Sequence, residues 1–196
     1  MLRRLGFLLI AGFALLGTLV LLGAVLAVRR GFGSREAPPA WEAFLAKRIY
    51  RLSIPEEARR QENPFPPTPD WLRQGREHYA DHCAQCHANN GSGATEMGKN
   101  LYPRPPDMRK EATQRLTDGE LYYIIHNGIR LTGMPAWGEE GHDAESWKLV
   151  LFLRHLSKLT REEEREMEKL NPKSPKERAE EQEEERFLEG DDKSSP

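Results

Sequence analysis

The chain has 196 residues, 31% of them charged, with a formal net charge of −2 and 38% hydrophobic side chains. That balance excludes an overall basic, nucleic-acid-binding surface, and the length allows about one modest core. The only cysteines, Cys83 and Cys86, sit in one local motif, which is not the spread of cysteines that a small secreted disulfide framework uses.

From the N-terminus, Leu5–Val28 carries no charge over 24 residues. As a helix it spans roughly 36 Å, enough to cross a hydrocarbon layer of about 30 Å. Val25-Leu26-Ala27 offers a cleavage site for a competing signal-peptide reading. The apolar core of a signal peptide is usually only about 7–15 residues long, so length favours a retained single-pass anchor. Arg3 and Arg4 precede the segment and Arg29, Arg30 and Arg35 follow it, so flanking charge does not set the orientation.

The next stretch is rich in proline, with Ala37-Pro38-Pro39 and Asn63-Pro64-Phe65-Pro66-Pro67-Thr68-Pro69. Such density predicts an extended, semi-rigid spacer. Within it, Trp41-Glu42-Ala43-Phe44-Leu45 with Arg48 and Arg51 reads either as a short helix near a lipid surface or as an ordinary spacer.

After Pro69, apolar or small residues at Trp71, Leu72, Gly75 and Tyr79 have helical spacing and predict a helix running into the cysteine motif. A second helix begins at the capping box Thr117-Asp118-Gly119-Glu120 and stops at Asn127-Gly128. A third covers about Ala144–Ser157, with Trp147, Val150, Leu151 and Leu156 as its buried face. No segment alternates with period two over a strand length. Between the first two helices, Gly91-Ser92-Gly93 and Tyr102-Pro103-Arg104-Pro105-Pro106-Asp107 make a connection too long for a turn. It is expected to wrap a bound group. From Thr160 the chain is highly charged: residues 161–196 hold 14 acidic and 8 basic side chains. A second capping box, Thr160-Arg161-Glu162-Glu163, predicts a charged helix, followed by a solvated or disordered tail.

Cys83-Ala84-Gln85-Cys86-His87 is the pattern of c-type haem attachment. Thiols three apart on one turn reach the two vinyl groups of a porphyrin, and the next residue, His87, is aimed at the iron. A thioredoxin-like site needs strands that the pattern lacks, and a zinc site needs two further ligands. For the second axial position, Met134 lies in Gly133-Met134-Pro135, where a thioether would favour reduced iron and raise the potential. Its rivals are Met97, Met108 and His126. Tyr102, Arg104, Arg130 and Trp137 are candidates for haem-edge or propionate contacts. His78, His82, His142 and His155 are expected to be solvated or locally bonded.

These motifs resemble a class I monohaem cytochrome c over about Gly75–Leu159. The likeness rests on Gly75-x-x-x-Tyr79 before the haem motif, Leu116-Thr117-Asp118-Gly119-Glu120-Leu121, Ile125-x-Asn127-Gly128-Ile129, Gly133-Met134-Pro135 and Trp147-x-Leu149-Val150-x-Phe152-Leu153. The resemblance implies an all-α fold in which the helix of Gly75 and Tyr79 crosses that of Val150 and Leu151, and a methionine loop closes one haem face. It also implies a carbonyl from Pro103 or Pro105 near His87. The expected organisation is an anchor or signal peptide over 1–30, a proline-rich linker over 31–69, a cytochrome c domain over 70–159 and a charged tail over 160–196. The expected function is one-electron transfer by one covalent haem c, not catalysis. The cofactor is held by Cys83, Cys86, His87 and Met134, and the domain serves as a periplasmic carrier tethered to the cytoplasmic membrane or as a haem subunit of a respiratory complex. Redox proteins are its expected partners, and nucleic acid is not. The alternative is a haem sensor or haem enzyme with an open iron position.

Overall fold

The computed structural model describes residues 2–31, 33–34, 38–139, 143–173 and 175–188. Arg35, Ala37, His142 and the end of the acidic tail, 189–196, lie outside them. The chain divides into two units, 1–37 and 38–196. The first is one helix, α1 (Leu2–Arg30), whose Arg3–Arg30 stretch is long and apolar enough to cross a membrane. Leucines and alanines propagate it, and Arg29 and Arg30 complement the negative end of its dipole.

The second unit is built from helices, with no strand among the described residues. In chain order these are α2 (Ala40–Ser53), α3 (Glu56–Arg59), α4 (Pro69–His78), a π turn (Tyr79–Cys83), α5 (Ala84–His87), α6 (Glu96–Lys99), α7 (Glu111–Gln114), α8 (Asp118–Asn127), α9 (Asp143–His155), α10 (Arg161–Glu168) and α11 (Pro175–Leu188). The proline-rich segment, expected to be extended, thus contains two helices. The reason is positional. Pro39 and Pro55 are N-caps and Pro69 opens α4, places where a missing N–H costs nothing and a fixed φ helps. α3 also belongs to the packed domain, because Ala58 is buried and its carbonyl leaves no room for a side chain at Gly119 of α8.

The core is a crossing of α4 on α9. At Gly75 a β-carbon would overlap the Lys148 carbonyl, so glycine permits the approach. One turn later Tyr79 lies 4.9 Å from Phe152, ring to ring. Val150 and Phe152 are wholly buried and Leu149 and Leu153 nearly so. Lys148 is buried too, but its ammonium donates to Gln74 Oε1 at 2.8 Å and Glu145 Oε1 at 2.7 Å and sits 4.9 Å from the Trp71 ring, which satisfies its charge. Both predicted capping boxes form, at Thr117 with Glu120 and at Thr160 with Glu163. Arg154 ties the end of α9 to the start of α8, donating to Asp118 Oδ1 at 2.9 Å and to the Gln114 carbonyl at 2.8 Å.

The charged segment after Thr160 is not uniformly solvated. Met167 of α10 is completely buried, and Arg76 of α4 pairs with Glu163 at 3.5 Å and Glu166 at 2.7 Å. α10 therefore closes over the turn that leads into the cysteine motif.

Candidate haem-binding site

α4 does not pass smoothly into the cysteines. The Tyr79–Cys83 π turn inserts a wider loop of helix, a device common at functional sites. α5 then carries Ala84–His87 and ends abruptly at Ala88, whose φ is +61° and ψ 154°. That conformation is costly for a residue with a β-carbon, and the surroundings hold it. Tyr79 Oη donates to the Ala88 carbonyl at 2.9 Å, and Gly91 N–H donates to the same oxygen at 3.0 Å.

The other carbonyls at this helix end are satisfied as well. Ala88 N–H reaches Ala84 O at 2.8 Å and Gly93 N–H reaches His87 O at 2.8 Å. Thr95 Oγ1 donates to Cys86 O at 3.2 Å while capping Gly98 N–H of α6 at 2.8 Å. A β-carbon on Gly98 would lie 2.7 Å from the Cys86 carbonyl oxygen. The backbone of the motif is therefore fixed from outside by a loop that sequence reasoning assigned only to wrapping.

With the backbone engaged, the side chains are free for a ligand. Cys83 and Cys86 are unbridged. Burial, with the charge of Cys86 beside it, pushes the Cys83 thiol up to about 12, and burial also raises Cys86. Reactive redox cysteines have the opposite shift, so this pair is poorly suited to thiol–disulfide exchange. His87 is held neutral because burial lowers it to about 4, and its Nδ1 is buried without a hydrogen-bond partner. A neutral, unengaged imidazole next to two unbridged thiols on the same turn fits a haem c, with thiols for its vinyl groups and imidazole for its iron. Neither proline carbonyl engages His87 Nδ1. The Pro105 carbonyl instead abuts Gly93, which in turn holds the His87 carbonyl.

The Met134 loop is built on the end of α8. Gly128 has φ +65°, and a β-carbon there would collide with Pro135. Ile129 N–H donates to Met134 O at 3.0 Å, and Thr132 Oγ1 donates to Ile129 O at 2.7 Å while accepting from Met134 N–H at 3.0 Å. Trp137 and Gly138 then donate to the Ile125 and His126 carbonyls at 3.1 and 2.9 Å. On both sides of Met134 the loop meets neighbours of the cysteine motif. The Trp137 ring lies 5.3 Å from that of His82, the residue before Cys83. A β-carbon on Gly133 would be 2.7 Å from Leu101, three residues beyond Gly98.

The other candidates have surroundings of their own. Met108 is buried in the core, and Met97 is exposed on α6. His126 Nδ1 lies 3.3 Å from Tyr122 Oη. Tyr102 Oη donates to Glu42 of α2 at 2.6 Å, and Arg104 and Arg130 are exposed. His78 and His155 meet Glu145 and Glu163 at 3.4 and 3.0 Å, and His82 meets Asp81 at 3.3 Å.

Residues 70–153 match the family described as cytochrome c oxidase, cbb3-type, subunit III. Over this stretch, under half of the chain, the sequence is similar to a c-type cytochrome subunit. The match is consistent with haem-based electron transfer in this region. Of the solved structures, a chain of the reducing HAO-like protein complex of Kuenenia stuttgartiensis is similar at 23% identity with a TM-score of 0.42, over 47% of this chain and 46% of that one. The chain thus spans about half the length of that relative. No curated protein matches it.

Proposed function

We propose that the domain carries one haem c bound covalently through Cys83 and Cys86, with His87 and Met134 as the axial ligands. We further propose that it passes single electrons on the extracytoplasmic side of a membrane to which α1 tethers it. The observation that carries this reading is the state of His87, half-buried, neutral and with its buried Nδ1 unengaged, directly after two unbridged thiols. The haem supplies the one-electron iron couple. The chain's own residues do the rest. Tyr79, Gly93 and Thr95 hold the backbone of the motif, which would keep His87 in place as a ligand to a haem iron. The Gly128 turn and the Thr132 hydroxyl hold Met134 in a loop of fixed shape. A site that reorganises little is what electron transfer asks for. The family description extends the reading to a haem subunit of a terminal oxidase, alongside that of a lone carrier.

The test is Met134→Ala in the haem-loaded full chain. The reduced parent protein is expected to resist carbon monoxide, and the variant to bind it, with a lower reduction potential. Carbon monoxide binding by the parent, or an unchanged spectrum and potential in the variant, overturns Met134 as ligand. The first of those results would favour the open-site sensor. A pyridine-haemochrome spectrum lacking the signature of saturated vinyl groups overturns covalent attachment.

A further inference from the structure

α2 is a helix with two unlike sides. One side faces the domain. Tyr50 Oη is buried, and burial beside Tyr123 and Glu120 of α8 pushes that phenol up to about 12. Ile54, which follows α2, is 3% exposed, and Arg59 caps this end by bonding the Arg51 and Ile54 carbonyls while pairing with Glu120 at 3.8 Å. Glu42 accepts from Tyr102. The helix is therefore a fixed part of the haem domain.

The opposite side packs on nothing among the described residues. Trp41, Phe44, Leu45, Ile49 and Leu52 are 67%, 68%, 49%, 58% and 75% exposed. At about 3.6 residues per turn they form one stripe roughly 140° wide. Arg48 stands within it and Arg51 at its edge, with Lys47 further round the helix, all three exposed and without an ion pair among the described residues. The one acidic residue of the helix, Glu42, borders the stripe beside Ile49 but is engaged by the Tyr102 hydroxyl. Exposed aromatic and aliphatic side chains bordered by unpaired cations are the composition of a helix lying in a lipid–water interface, where an arginine inside the stripe can reach headgroups with its long stem. The chain also delivers this helix to such a surface. α1 ends at Arg30 and α2 begins at Ala40, and the nine residues between them reach at most about 30 Å when fully extended.

We infer that α2 is a second membrane contact: its Trp41–Phe44–Leu45–Ile49–Leu52 face lies in the interface of the leaflet from which α1 emerges, with Arg48 and Arg51 on anionic headgroups. This rests on reading α1 as a membrane anchor. The contact gives the haem domain a fixed attitude to the bilayer, because Tyr102, bonded to Glu42, follows Leu101, which abuts Gly133 of the methionine loop. The edge that carries Met134 is thereby tied to the membrane-lying helix, and the domain cannot swing freely on its tether.

The experiment places a nitroxide at Leu45→Cys, Glu57→Cys or Leu16→Cys in the haem-loaded full chain. The chain is reconstituted in vesicles of phosphatidylcholine with phosphatidylglycerol, and collision with oxygen and with an aqueous nickel complex is measured. The label at 45 is expected to be several-fold less accessible to nickel than that at 57, and more accessible to oxygen. This protection should persist when the chain is diluted below one copy per vesicle. Equal nickel access at 45 and 57 overturns the proposal and leaves the stripe to a partner protein, and protection lost on dilution overturns it in favour of a second copy. The label at 16 separates the two readings. Exposed there but shielded at 45, α2 is a membrane contact without the anchor; shielded there but exposed at 45, the anchor stands and the inference fails.

Discussion

At position 75 two opposite effects meet. Alanine in a helix interior is favoured over glycine by about 1 kcal/mol, yet a β-carbon at Gly75 would overlap the Lys148 carbonyl and press on Phe152. Backbone cannot step aside as a flexible side-chain end can, and forced overpacking costs about 1–3 kcal/mol. The clash wins. Gly75→Ala is expected to destabilise the domain by up to about 2 kcal/mol net, read from the urea midpoint of far-ultraviolet ellipticity, and a higher midpoint would show that α4 and α9 do not cross here. At this same scale the cysteine motif was readable because Cys83, Cys86 and His87 fall within five residues, and Gly75 was readable through its resemblance. The locks on the motif were not. Ala88 gives no sign in its identity of a positive φ, and the contacts of Thr95 with Cys86 and of Leu101 with Gly133 join loops whose meeting depends on the whole fold.

Elements were legible where their causes are local. The boxes at Thr117 and Thr160 involve residues three apart, and both start helices as their pattern indicates. α2 was only half legible, since the prolines around it resemble a spacer until they are seen to stand at helix starts. α10 was legible as a helix but not as a packed one, because in Arg161–Glu168 only Met167 is a large apolar residue, and its burial in the core is set by the rest of the fold. That docking has a measurable weight. Met167→Ala removes a completely buried side chain and is expected to cost about 2–4 kcal/mol, whereas a solvated tail would lose nothing measurable. α10 should also respond to pH through Glu163. Burial opposes its ionised form, but the Thr160 N–H and hydroxyl and the neighbouring His155 outweigh this and hold its carboxyl below the usual range. A carboxyl lowered on folding adds stability that is complete above the unfolded value, about 4.3, and is lost as pH falls through the folded one. The parent protein should therefore lose more stability than Glu163→Gln between pH 5 and the acid limb, and parallel melting curves for the two would remove Glu163 from the account.

For the whole molecule, the clearest question is how far the two membrane-directed segments act separately. Every residue of the buried core lies between Tyr79 and Met167, with Ile54 and Ala58 as further buried apolar positions. None belongs to residues 1–37, so deletion of that unit should leave the haem domain folded, with the same reduced spectrum and a urea midpoint within error of the full chain. What it should not leave is a protein indifferent to lipid. The five-residue stripe of α2 remains exposed in the deleted form, with Arg48 and Arg51 in and beside it, and surface attraction to anionic lipid contributes about 1 kcal/mol per basic residue, falling within a Debye length. Residues 38–196 are accordingly expected to sediment with phosphatidylglycerol-containing vesicles at low salt, to be released at high salt, and to bind pure phosphatidylcholine more weakly. Phe44→Glu with Leu52→Glu in the same fragment should abolish sedimentation without changing the spectrum or the midpoint, since both side chains are exposed. If the fragment stays in the supernatant at every salt concentration, α1 is the whole of the membrane attachment; if the double variant still sediments, the contact lies on another surface.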